Sequence, residues 1–352
     1  MQDRMIGVAP MRIAATLAVI LIHTMPISFT ELEGYSSSSP ALLINQFSRF
    51  AVPFFFTISG FFWGKSISDK NNIFLVWKKY ALRFSLLFIS WTVIYSTPYM
   101  RIIPLLNQED TILNLIKQTY WNLSSFATHP LTLILEGSKS HLWFLPSLLI
   151  CVSISSVFVK NKITPVLYIA SILLYVIGVL GKSYSNTPYG IEIDINTRDG
   201  PFFGLIFFAT GYYLSITCPR RTSPRYGLVV LLTGFIAQAI ELNILNIKYD
   251  VSKIQDYCFS TYLMGIGAAM ICITQKSPTS FRLDRLEFIG KLTLGIYLVH
   301  FIFIDAIIEI SKKSPEFITL TNPYIFPSIV FISSIVFSLT VNLTKHIKWL
   351  VR

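Results

Sequence analysis

Charge is what this chain has least of. Only 13% of its 352 residues are Asp, Glu, Lys or Arg, against about 25% in a typical soluble domain. No polar stretch is long enough to build a soluble unit, so residues 1–352 are expected to form a single membrane domain. Acids are the scarcer sign, 18 against 29 bases, for a net charge of +11. In a soluble chain that excess would point to nucleic acid; here the placement of the charges decides. The four cysteines, Cys151, Cys218, Cys258 and Cys272, fall in or beside apolar segments. They show no metal-ligand spacing and no disulfide framework, and they read as small buried hydrophobes. Phosphate loops, dinucleotide fingerprints, Gly-x-Ser-x-Gly elbows and zinc motifs are all absent. That leaves nucleotide-driven transport without support and gives the expectation of no metal and no bound cofactor. Nor is there an internal repeat with paired broken helices, the mark of an inverted-repeat transporter.

What the chain has in plenty is apolar surface: 53% hydrophobic, 14% aromatic, with a mean hydropathy of +0.59. A membrane span needs roughly 20 apolar residues. Ten segments qualify, at about 8–29, 47–66, 83–103, 142–159, 164–181, 201–218, 226–245, 257–275, 292–311 and 323–343. The expected fold is therefore an all-α, polytopic membrane protein of about ten transmembrane helices. The lead "MQDRM" runs into an apolar stretch with no cleavage site and soluble remainder behind it, so that stretch reads as the first span. With the N-terminus inside, the inner segments hold 18 Lys and Arg against four acids and the outer ones nine against 14, leaving out Arg12 and Arg49 as boundary cases. This positive-inside pattern puts both termini in the cytoplasm. The excess positive charge then meets anionic membrane lipid, not nucleic acid. Residues 104–141, apolar and aromatic but interrupted at His129-Pro130, read as an interfacial helix or a lid.

Against this background the ionisable residues inside spans stand out, because lipid makes them costly unless they face water or each other. In "MRIAATLAVILIHT", Arg12 and His23 lie 11 residues apart. That is about three helical turns, so both project from nearly one face, roughly 16 Å apart along the axis. Snorkelling would account for Arg12 alone and an interhelical hydrogen bond for His23 alone; together they suggest a polar track. "RFAVPFFFTISGFFWGK" carries Ser59-Gly60 beyond a kinking Pro53. "HLWFL" places His141 and Trp143 at the outer start of the fourth span, where an interface anchor is the plain alternative. "LGIYLVH" sets His300 near mid-membrane, followed on the same helix by Asp305 and Glu309. The inner loop "KKYALR" offers Lys78, Lys79 and Arg83, either as topological charge or as a mouth for a polyanion. Arg198 with Asp199 sits just outside a span, as a surface pair or as part of a site.

The order of these segments resembles the integral-membrane acyltransferase family 3, whose members acylate surface sugars in bacteria. Arg-x(10)-His at Arg12 and His23, "RFAVPFFFTISGFF", the Lys79–Arg83 spacing, "HLWFL" and "LGIYLVH" all match its signatures in order, and the likeness covers nearly the whole chain. Arg12 is followed by Ile13 where many members have Gly, and Lys79 stands where Arg is common. The resemblance implies an O-acyltransferase of the bacterial inner membrane. It would take an acetyl or other short acyl group from cytoplasmic acyl-CoA, a co-substrate, to a hydroxyl of a surface or lipid-linked glycan such as O-antigen. It implies His23 as the catalytic group, with Arg12, Lys79, Arg83, Ser59, His141, Trp143, Arg198 and His300 binding donor or acceptor. The rival readings are a glycolipid flippase or polysaccharide polymerase without acyl chemistry, and a proton-coupled exporter using His300, Asp305 and Glu309.

Overall fold

The computed structural model describes residues 4–30, 40–70, 72–99, 111–125, 128–217, 223–274, 276–277, 281–313 and 320–351. Among them the chain is almost wholly helical. The helices in chain order are α1 (Val8–Thr30), α2 (Pro40–Phe47), α3 (Ala51–Lys70), α4 (Ile73–Ser96), α5 (Thr111–Ser125), α6 (Pro130–Glu136) and α7 (Phe144–Lys160). They continue with α8 (Thr164–Leu180), α9 (Pro201–Thr217), α10 (Pro224–Tyr249), α11 (Thr261–Thr274), α12 (Phe281–Lys313) and α13 (Phe326–Leu343). A two-residue strand at Arg4–Met5 pairs antiparallel with Lys276–Ser277 and ties the chain's start to the link between α11 and α12.

Six stretches are long and apolar enough to cross a membrane: Val8–Met25, Pro40–Lys70, Ser140–Lys160, Pro224–Tyr249, Asp284–Lys312 and Phe326–Leu343. Each expected span falls on a helix, but ten crossings are more than helix length and composition support. Helices α8, α9 and α11 are apolar yet have only 17, 17 and 14 residues. At 1.5 Å per residue they fall short of a hydrocarbon core of about 30 Å. The expected span at 83–103 is also shifted. Asn72 caps α4 by accepting the Leu75 N–H, and the helix ends at Ser96. Lys78, Lys79 and Arg83 therefore lie on a helix and not in a loop. The expected end of that span at 100–103, and Cys218, lie outside the described residues. The other three cysteines are buried and free, as small hydrophobes should be.

Packing follows from small residues. Helices α3 and α9 approach until backbone meets backbone. A Cβ on Gly60 would stand 2.0 Å from the Phe208 carbonyl oxygen, and one on Gly211 would stand 1.9 Å from that of Thr57. In lipid, such close approach supplies the dispersion contact that the hydrophobic effect cannot. The seam is filled by Phe54, Phe56, Trp63, Phe207 and Phe208, all fully buried. Helix α1 lies against α12, α13 and α3. The outer faces stay apolar: Leu82, Leu86, Ile89 and Val93 on α4, and Leu232, Ile236, Ile240 and Ile244 on α10, are all exposed. Spacings of three and four residues make each a continuous stripe, a surface suited to lipid and not to water.

Candidate functional site

Helix α1 carries its two ionisable residues into the protein and not toward lipid. Arg12 lines a cavity of about 180 Å³ together with Ser59, Tyr80, Arg83, Lys291 and Thr293. The Arg12 guanidinium stands 5.2 Å from the centre of the Phe62 ring, within cation–π range. No acid lines this chamber among the described residues. A larger cavity of about 360 Å³ adjoins it and shares Arg12, Phe62, Gly290 and Lys291 in its lining. Arg83 is exposed at the chamber's edge. Lys79, one turn earlier, is also exposed but does not line the chamber.

His23 lines a different cavity, of about 200 Å³, with Asn45, Arg49, Trp143, Arg198, Asp256 and Tyr257. The two chambers have two lining residues in common, Val52 and Tyr297. These two side chains form the wall between them. The expected polar track thus resolves into two compartments joined at one partition, with Arg12 on one side and His23 on the other.

The charges of the His23 chamber are already paired. Arg49 donates to Asp256 at 3.0 Å and, through Nε and Nη2, to Asn45 at 3.2 and 3.0 Å. Asn45 in turn donates to the Ile22 carbonyl at 3.2 Å and so braces the turn that carries His23. Lys182 reaches the second Asp256 oxygen at 3.3 Å. Burial pushes the Asp256 carboxyl up, but Arg49, Arg198 and Lys182 together outweigh it and hold the group below the usual carboxylate range. Arg198 stacks on Trp143 at 5.0 Å from the ring centre, lies 3.6 Å from Glu136, and donates to Asp199 at 3.3 Å. Asp199 is buried with Glu136 nearby. Burial is the larger cause, and despite Arg198 its carboxyl is pushed up to about 7.

Behind His23 lie two more imidazoles. The His23 and His300 ring centres are 5.5 Å apart, and those of His300 and His141 are 5.1 Å apart. Phe301 packs on all three, at 4.8, 4.8 and 4.6 Å. His141 sits in the short 3-10 turn Ser140–Trp143 that leads into α7, where its carbonyl accepts from the Tyr297 hydroxyl. His141 and His300 are fully buried and line neither chamber. Asp305 accepts from Lys139 at 2.6 Å and from Tyr99.

The structure thus divides the expected site residues. Arg12, Ser59 and Arg83 share one chamber; His23, Trp143 and Arg198 share the other; His141 and His300 stand behind, and Lys79 stands apart. Sequence reasoning set Arg49 aside and missed Asp256, Tyr80 and Tyr297. Tyr297 lies inside "LGIYLVH" and Arg49 opens "RFAVPFFF", so both were within reach; Asp256, on the loop between α10 and α11, had no local signal.

Fold and cavities together define a polytopic helical membrane protein with a basic chamber and an imidazole chamber set end to end. The acyltransferase-domain family matches residues 10–343, nearly the whole chain, and the chain belongs to it, acyltransferase family 3. Two proteins of Enterococcus faecalis, each named amino-acid racemase, are similar. One is 27% identical over 228 residues, covering 59% of this chain and 28% of that protein. The other is 24% identical over 371 residues, covering 99% of this chain and 47% of that protein. The chain therefore spans less than half the length of either. No solved structure matches.

Proposed function

We propose that this acyltransferase moves an acetyl or other short acyl group from cytoplasmic acyl-CoA to a hydroxyl of a surface or lipid-linked glycan, in the inner membrane of a bacterium. The observation that carries the reading is the contrast between two chambers meeting at Val52 and Tyr297. A chamber with Arg12, Arg83 and Lys291, and no acid in its lining, suits the phosphates of CoA. A chamber whose cations already have acid partners has no net demand for an anion. Trp143 and Tyr257 give it flat apolar walls, and a neutral polyol such as a sugar suits it better.

The rest follows from the chemistry. The thioester extends from the basic chamber toward the Tyr297 partition. His23, on the far side, takes the proton of the attacking hydroxyl, a role imidazole fills near neutral pH. The new C–O bond forms as the C–S bond breaks, and the thiol leaves by the basic chamber. A cytoplasmic N-terminus puts Arg12, near the start of α1, and its basic chamber inside, and His23, three turns further along, and its chamber outside, in keeping with the loop charges. Arg12 and Arg83 hold the donor, with Ser59 beside them; Trp143 and Arg198 face the acceptor.

The test is O-acetyl content, by NMR of surface glycans, in cells that depend on this chain. His23→Ala at normal expression should remove the signal. An unchanged O-acetyl signal would end the assignment. Release of CoA thiol by the wild-type protein separates acyl transfer from a flippase or polymerase.

A further inference from the structure

Among the described residues three buried nitrogens have no hydrogen-bond partner, Trp63 Nε1, His141 Nδ1 and His300 Nε2, and the last two belong to neighbouring rings. The other nitrogen of each ring is fixed. His141 Nε2 lies 3.2 Å from the Leu298 carbonyl oxygen, and His300 Nδ1 hydrogen-bonds the Tyr297 carbonyl. A carbonyl only accepts, so in the neutral rings those nitrogens carry the hydrogens. What remains on each ring is a bare lone pair, buried and unused. A single such acceptor in a dry interior is a cost to the fold. Two on rings 5.1 Å apart make a place built to receive a proton, and His23 stands next in line at 5.5 Å from His300.

We infer that His300 and His141 form a proton relay that takes the acceptor's hydroxyl proton from His23 and holds it during acyl transfer. This rests on His23 being the base. It also answers a difficulty in that reading. A protonated His23 adds a positive charge to a chamber whose acids are already taken up by Arg49 and Arg198, whereas His300 lines neither chamber. Passing the proton one ring deeper takes the positive charge out of that cavity and onto a lone pair that has no other partner. Phe301, packed on all three rings, keeps water from discharging it.

The step balances. The alcohol O–H breaks and its proton goes to His23 and on to the relay. The oxygen's electron pair forms the ester C–O bond, and the C–S pair leaves on sulfur. The thiolate is protonated by water in the basic chamber, and the relayed proton returns to water through His23 when the ester departs.

The experiment uses the full chain in inverted inner-membrane vesicles holding their own acceptors, with radiolabelled acetyl-CoA outside. His300→Asn should slow incorporation by about tenfold or more while KM for acetyl-CoA stays within about twofold. The wild-type rate should fall in deuterated water, and that sensitivity should change in the variant. Added imidazole should restore much of the rate to His300→Ala, which a structural defect would not allow. His141→Gln should give a smaller loss of the same kind. A His300→Asn rate within twofold of wild type would overturn the relay. So would a loss that imidazole does not repair and that leaves the deuterium effect unchanged. His23→Ala run alongside tells the two readings apart. Inactive His23→Ala with active His300→Asn removes the relay alone, and active His23→Ala removes the base as well.

Discussion

The two chambers have similar volumes, about 180 and 200 Å³, but opposite electrostatic character. In the Arg12 chamber no acid in the lining stands beside Arg12 and Arg83, and Lys291 is met by Glu287, outside that lining, at 3.3 Å. In the His23 chamber Asp256 neutralises Arg49 and Lys182, and Glu136 with Asp199 neutralises Arg198. Paired charges in a half-buried site act as scaffold: they fix geometry, and they give up little attraction to an incoming anion. The same residue type, arginine, thus lines a wall without acids on one side of Tyr297 and sits in ion pairs on the other.

That comparison is open to attack from several sides. The hardest blow is His23→Ala, which should cut label transfer from acetyl-CoA to glycan by about 10²–10⁴-fold, the usual worth of a general base, with donor KM little changed. Next come Arg12→Ala and Arg83→Ala. Each should raise the KM for acetyl-CoA by about tenfold or more, in line with roughly 1.5–3 kcal/mol for a hydrogen bond to a charged group. Lys79→Ala, outside the chamber lining, should stay within about twofold by the same measure. A large effect at Lys79 and none at Arg12 would move the donor site. A smaller effect is expected at Asp256→Asn, which strips Arg49 and Lys182 of their partner. It should lower the melting temperature by several degrees, on the order of 2 kcal/mol, since the pair is only partly buried. Arg12→Ala, in a lining that holds no acid, orphans no such partner there and should leave the melting temperature nearly unmoved.

The smallest effect concerns Asp199. Its carboxyl is raised to about 7 in the folded protein, against about 3.9 unfolded. The folded state therefore binds the extra proton, and the stability this group contributes is full below pH 4 and lost as pH rises through 7. Asp199→Asn should flatten the fall in melting temperature over that window. An unchanged pH profile would show that Arg198 keeps Asp199 ionised throughout.

Which helices exist was legible from residue spacing, because lipid permits only backbone that satisfies its own hydrogen bonds. Among the described residues every expected span overlaps a helix. Their number as crossings was not legible, since a hydropathy window counts apolar residues without marking where a helix stops, and α8, α9 and α11 stop after 17, 17 and 14 residues. The start of α4 was misjudged for a local reason. Its charged first turns resemble a loop to a hydropathy window, while the Asn72 cap and the exposed, water-facing Lys78 and Lys79 make them helix.

By itself the amino-acid order determined that the chain is helical and membrane-bound, and that Arg12 and His23 turn to one side of one helix. It also supplied the signatures of an acyltransferase, for periodicity and motif are local properties of a chain. Only the folded bundle decided that Arg12 and His23 open into separate chambers, that Tyr297 stands between them, and that Asp256 and Arg49, 207 positions apart, share one ion pair. Those facts depend on which helix faces meet, and that is set by close contacts such as Gly60 on Phe208 and Gly211 on Thr57, where removing a side chain lets two distant backbones touch.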